Sequence, residues 1–397
     1  MKYYPLMGAV ALASVATLPP LAHADDQAAT NELAVQNAME EGASGEMRRL
    51  YTSMKKRITE NSGDKWFNSL SAAGLIELDG SYISPYVGKK TSDFRTHALQ
   101  AGVLARVNEW VMGTASFLYS QGDDKVNTDV ATITVANNAV SPLFFNAGRF
   151  YLPFGDYSSN MVTDPLTIMG QTRTTALQIG FAQQGFFGSL YGFQGDLKVD
   201  GRDTVDSWGA HLGWAHVAGD NSLLLSTGYV NNLGNSGTFA TAIQDHRALA
   251  HAGNLAISLD PSRRTGGWTL YGVGTMGPVS LTGEYLAAME RFEQNSLEFN
   301  NQGAKPSAWN LELGYNFTVF GKSSSAGIAW QGTREARNLG SDEDWIPAKR
   351  LSLGWTINPF EKTSVIFQLL RDEDYSLADG GTGKSSDGAR VRLLVEF

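Results

Sequence analysis

From Gly74 to Phe397 apolar and polar side chains alternate with a period of two, and that pattern confines the chain to an all-β fold. Trp309, Leu311, Leu313, Tyr315, Phe317 and Val319 alternate with Asn310, Glu312, Gly314, Asn316 and Thr318. Leu351, Leu353, Trp355 and Ile357 alternate with Ser352, Gly354 and Thr356. The second face is mostly Gly, Ser, Thr, Asn and Gln, as a wet lumen requires; the outside of a soluble sandwich would carry more Lys and Glu. Aromatic residues recur near strand ends, as in the interfacial girdles of membrane barrels. After the first two dozen residues no apolar run reaches the ~18 residues of a spanning helix. The expected fold class is all-β, a sixteen-stranded antiparallel transmembrane β-barrel with a short helical segment before it.

The strand count rests on parity. Sixteen candidate strands fit between residues 74 and 397, with short turns after even strands, such as Asn108-Glu109 and Gly277-Pro278. Longer polar connections follow odd strands, among them 153–172, 233–266 and 373–386. Short periplasmic turns with longer outer loops are the barrel rule. Segment 250–259 would make a seventeenth strand and break both patterns, so it belongs inside the long connection. The final strand, closing on Phe397, resembles the outer-membrane assembly signal and implies barrel assembly machinery as a partner.

Residues 1–24 read as a secretory signal peptide, with Lys2, an apolar core and Ala22-His23-Ala24 as the cleavage site. Residues 25–73 lack alternation and carry Met47, Leu50, Tyr51, Met54 and Ile58 at helical spacing. This predicts a periplasmic helical or coiled tail, too small to be a globular plug.

Other chemistries find little support. The chain has 31 Lys and Arg against 40 Asp and Glu, a net charge of −9, which argues against a nucleic-acid partner. With no cysteine, disulfides, thiolate metal sites and a cysteine nucleophile are excluded. Ala378–Ser385 imitates a phosphate loop, but a terminal strand follows it where a helix N-terminus is needed. No catalytic residue, metal ligand or cofactor is expected. Acidic clusters at Asp123-Asp124, Asp342–Asp344 and Asp372–Asp374 read as solvated outer-loop tips, with divalent cations shared with lipopolysaccharide as the alternative; outer-membrane lipid and lipopolysaccharide are the expected surroundings of the barrel.

The segment 148–196 stands apart: GRFYLPFG from Gly148, NMVTDPLT from Asn160, GQTRTTALQIGF from Gly170 and GSLYGFQGD from Gly188. With YVNNLGNSG from Tyr229, it resembles the LbtU-type siderophore porins, and more loosely the resemblance extends over 74–397. It implies an outer-membrane receptor or channel for ferric siderophores that works without TonB coupling. Read from its residues alone, the chain fits a general or solute-selective diffusion porin equally well.

Connection 153–172 carries Phe154, Met161, Val162, Leu166 and Met169, too many apolar groups for a loop bathed in water. It is expected to fold inward and narrow the pore, bringing Asp156, Asn160 and Asp164 with it. Alternation places Arg149, Arg350, Arg390 and Arg392 on one arc of the lumen and Glu284, Glu312 and Glu335 on another, with His211 also inward. Tyr151 and Arg173 flank the loop. Opposed basic and acidic walls would set up a transverse field that orients a polar chelate. Guanidinium groups could then grip its carboxylates bidentately. Arg149, without a partner in its hairpin, is the expected anchor. Glu77 and Asp79 of the first strand are candidates to pair with Arg390 and Arg392.

Overall fold

The computed structural model describes residues 23–60, 70–121, 125–340 and 346–397. Two helices come first, α1 (His23–Glu40) and α2 (Gly45–Glu60). The strands follow: β1 (Leu70–Ser84), β2 (Thr91–Arg106), β3 (Val111–Ser120), β4 (Lys125–Ala136), β5 (Leu143–Tyr151) and β6 (Arg173–Gln183). Next come β7 (Phe186–Phe193), β8 (Ser207–Ala218), β9 (Asn221–Val230), helix α3 (Gly237–Gly253), β10 (Gly267–Met276) and β11 (Val279–Ala288). A two-residue pair, β12 (Glu298–Phe299) and β13 (Gln302–Gly303), interrupts the next connection. The chain ends with β14 (Ser307–Val319), β15 (Lys322–Arg334), β16 (Lys349–Phe360), β17 (Thr363–Glu373) and β18 (Ser385–Glu396).

Sixteen of these strands close an antiparallel barrel, each paired with its sequence neighbour and β1 with β18. The expected parity therefore appears as short turns at one end and long connections at the other. Strand β1 starts at Leu70, four residues before the alternation becomes legible. Segment 250–259 is no strand; it holds the last turn of α3 and the coil after it. The acidic residues at 123–124 and 342–344 and the leader to residue 22 lie outside the described residues.

Alternation sets the two faces of the wall. Leu177, Ile179, Leu190, Trp208 and Leu212 are exposed outward, while Gln100, Ser116, Gln178, Ser189 and Ser226 are buried inward. Closure at the seam uses the last residue. Gly74 and Phe397 exchange backbone hydrogen bonds of 2.9 Å in both directions. The Phe397 ring covers Gly74, where a Cβ would come within 2.6 Å of it. An aromatic side chain shielding a strand glycine is a recognised way to stabilise a sheet edge.

The N-terminal helices correct the expectation of a periplasmic tail: they lie inside the barrel. The stripe Met47, Leu50 and Met54 packs on Ala73, Leu104 and Val130 of the inner wall. Gly102 makes room for it, since a Cβ there would stand 2.7 Å from Leu50 Cδ2. Ala34 and Ala38 of α1 pack on Phe144, Phe187, Ala215 and Leu224, and Val217 N donates to Thr30 Oγ1 at 2.9 Å. The cause is the wall itself. Its inward residues there are Leu, Val and Phe, and each such side chain taken out of water contributes ~1.5–3 kcal/mol.

The seam makes the first prediction. Gly74→Leu, which drives a side chain into the Phe397 ring, should lower by several degrees the temperature at which the compact electrophoretic form is lost in detergent. Phe397→Ala should act in the same direction, and two unchanged transitions would refute the seam's role.

Candidate functional site in the barrel lumen

The connection from β5 to β6 crosses the lumen instead of extending into solvent. A backbone inside a barrel loses water, so its N–H groups need acceptors on the wall. Glu284 Oε1 on β11 accepts from Asp156 N at 2.8 Å, and its other oxygen accepts from the Thr167 hydroxyl. On β14, Glu312 accepts from Ser159 Oγ at 2.7 Å, Asn160 N at 2.8 Å and Asn160 Nδ2 at 2.6 Å. Gln331 on β15 accepts from Leu166 N, and Gln368 on β17 from Thr163 N, both at 2.9 Å. The loop tip at Met161 lies over the inward glycines Gly327 and Gly354. The inward carboxylates anticipated as an acidic wall are thus the anchors of the loop. Glu335 is not on that wall; it follows β15 and pairs with Arg291 at 2.7 Å.

The loop and the helices meet at one ion pair. Arg48 Nη1 stands 2.6 Å from Asp156 Oδ2, and Nη2 donates to the Asp156 carbonyl at 2.8 Å. Both side chains are sealed from water. Beside them Gln171 Nε2 donates to Gly42 O at 2.9 Å. Gly42 has φ +83° and its α-hydrogen faces Leu152 O, so no side chain fits there. His211 lies beneath the helical hairpin, with Nδ1 2.9 Å from Ser189 Oγ and Nε2 3.8 Å from Glu41 Oε2. Sequence reasoning passed over Arg48 and Glu41. Arg48 is spaced like a residue on the polar side of the helix, and nothing local links it to Asp156.

The remaining candidates divide. Arg173 pairs with Asp129, the extra residue of a bulge between β3 and β4. The same carboxylate accepts from Tyr151 OH at 2.8 Å and Gln100 Nε2 at 2.6 Å. Arg350 forms a two-pronged pair with Asp372 at 2.8 and 2.9 Å. Arg392 does the same with Asp79 at 2.7 and 2.8 Å and reaches Glu77 at 2.9 Å. Arg390 lies in register with Ser81 and Gln368 on the inward face.

Arg149 is a correction. It lies in register with Ala131 and Thr175, both exposed on the outer face, so its position points away from the lumen. The expected basic arc loses that member, and Arg350 and Arg392 are neutralised by their partners.

Beside the loop a few charged groups keep exposure. Asp164 is exposed and within electrostatic reach of Arg350, Arg392, Arg49 and Glu46. Arg95 and His97 of β2 keep partial or full exposure on the same side, and His97 Nδ1 stands 3.4 Å from Asp79 Oδ2. Enclosure within the barrel, and then the Glu46 carboxylate, push Asp164 up to about 6 against the pull of the arginines.

Comparisons with known proteins fit this architecture. No family model matches the chain. It is 29 % identical over 330 residues to a UPF0422 protein of Coxiella burnetii, covering 80 % of this chain and 67 % of that one. It is 28 % identical over 360 residues to the UPF0422 protein lpg2959 of Legionella pneumophila, covering 83 % and 66 %. The chain thus spans about two thirds of the length of these relatives. Among solved structures it resembles Pseudomonas putida OprB, with TM-score 0.56, 10 % identity, and 86 % and 96 % of the two chains covered. It also resembles an anion-selective porin from Comamonas acidovorans, with TM-score 0.55, 13 % identity and coverage of 83 % and 99 %. The barrel has the porin fold.

The Arg48–Asp156 pair yields a stability prediction. Asp156→Ala leaves a guanidinium buried without its counter-ion and should cost ~3–5 kcal/mol. Replacing both partners by apolar residues should recover most of that loss. Urea midpoints of the refolded barrel measure both, and a double variant no better than the single would contradict the pairing.

Proposed function

We propose that this protein is an outer-membrane channel that passes a small polar solute into the periplasm. The observation that carries this reading is the inward loop pinned to the wall with Asp164 still exposed beside it; in this reading Asp164 and the charged side chains of β18 and β2 border an eyelet. An apolar outer band with a polar inner face suits a barrel in lipid whose lumen holds water. Sixteen strands leave room for an aqueous pore even after a loop narrows it. Solved neighbours described as porins support the same class. In this reading the short turns and both chain ends face the periplasm, lipopolysaccharide surrounds the outer half, and Phe397 engages the assembly machinery.

The finer reading, passage of a ferric siderophore without TonB coupling, rests on the resemblance of segment 148–196 to siderophore porins. The eyelet supports it in one respect: Arg95 and Asp164 offer both charge signs to a chelate that carries both. A general diffusion porin is the competing reading. Planar-bilayer recordings separate them, because a ferric chelate should block the current of a siderophore channel at low concentration and leave an unselective pore unaffected. Arg149→Gln should leave uptake unchanged, since that side chain points away from the lumen.

A pH dependence follows from Asp164. With its carboxyl pushed up to about 6, acidification through that range removes a negative charge from the eyelet. Preference for anions over cations, read from reversal potentials across a salt gradient, should rise as pH falls. Asp164→Asn should hold the higher preference at every pH, and a variant that still titrates like the parent would remove Asp164 from the eyelet.

A further inference from the structure

The inner wall differs around its circumference near the short-turn end. On one arc the inward residues are Phe144, Phe187, Ala215, Val217, Leu224 and Tyr271, all buried. On the other they are mostly small and hydrogen-bonding, Asn316, Thr318, Ser323, Thr356, Asn358 and Ser364 beside a buried Ile366, and of those six all but Thr356 keep some exposure. Helix α1 packs on β6, β7 and β8, and α2 on β1 and β2, while neither packs substantially on β14–β17. The helices therefore cover the apolar arc and leave the hydroxyl- and amide-lined arc bare. On that arc Asn358 donates to Ser323 at 2.9 Å and accepts from Ser364 at 2.7 Å, a polar surface already organised without the helices.

We infer that the α1–α2 hairpin is a permanent inner liner that confines the water-filled space to the β14–β17 arc. The chemistry of the wall supports permanence. An apolar arc exposed to water by a departing hairpin would lose its hydrophobic stabilisation, and inward polar groups on the same strands, Gln178 and Ser226, already bond to the hairpin at Ala38 O and Glu41. The contacts also extend the full depth of the hairpin. Gly219 N donates to Asp26 at 3.1 Å near the short turns, and Arg48 closes on Asp156 at mid-height. The bare arc has no fixed charge among those six residues, so below the eyelet it takes hydrogen-bonding solutes without regard to net charge. That last statement rests on the channel reading; the liner itself does not.

The absence of cysteine gives a clean test in the full-length protein. Asn316 and Ala215 stand at matched depth, each three residues before the end of its strand. Asn316→Cys should be modified rapidly by a charged, membrane-impermeant methanethiosulfonate reagent, with a stepwise fall in current. Ala215→Cys should react at least an order of magnitude more slowly. Leu224→Cys on the covered arc provides a second reading should Ala215→Cys fold poorly. Equal labelling of both arcs, or faster labelling of the covered one, overturns the liner. The labelling contrast without any measurable current would sustain the liner and defeat the channel reading.

Discussion

Asp156 ties the interior together. Its carboxylate holds Arg48 of α2, its carbonyl accepts from the same guanidinium, and its N–H donates to Glu284 of the wall. Helix, loop and barrel therefore meet at one residue that water does not reach. A buried ion pair of this kind adds little net stability over an apolar replacement, yet losing one partner is expensive. It fixes where the hairpin and the loop sit relative to each other.

The other polar groups of the lumen follow the same constraint. Glu312, Gln331 and Gln368 meet the loop amides that would otherwise be unsatisfied, and Asp129 gathers Arg173, Tyr151 and Gln100. Most lumen charges are consumed in holding the structure. Asp164 keeps its exposure, within electrostatic reach of Arg350 and Arg392.

Much of the barrel was legible in the sequence because its two faces meet different solvents. Alternation with polar Ser, Thr and Asn located β14 and β16, and the terminal pattern located β18. The count of sixteen followed from turn parity. The same logic failed where the interior is not wet. In β5 the residues Leu143, Phe144 and Phe145 are successive apolar groups, because Phe144 packs on α1 while its neighbours face outward. Parity taken from such a strand is ambiguous, which is why alternation alone puts Arg149 on the inward face while its register partners are exposed outward. The stripe Met47, Leu50 and Met54 revealed a helix but not its partner, since Leu104 and Val130 lie on other strands far along the chain. Glu284 and Glu312 were legible as inward acids; that their role is to receive the amides of a loop more than a hundred residues away was not.

The central claim is that the helical hairpin and the β5–β6 loop line the lumen from within, held as firmly as the wall. Hydrogen–deuterium exchange of the intact barrel in detergent tests it most directly. The account predicts that amides in α1, α2 and at Asp156, Asn160, Thr163 and Leu166 exchange on the slow timescale of the barrel strands. Exchange of these segments at the rate of free loops, with the strands still protected, would contradict it.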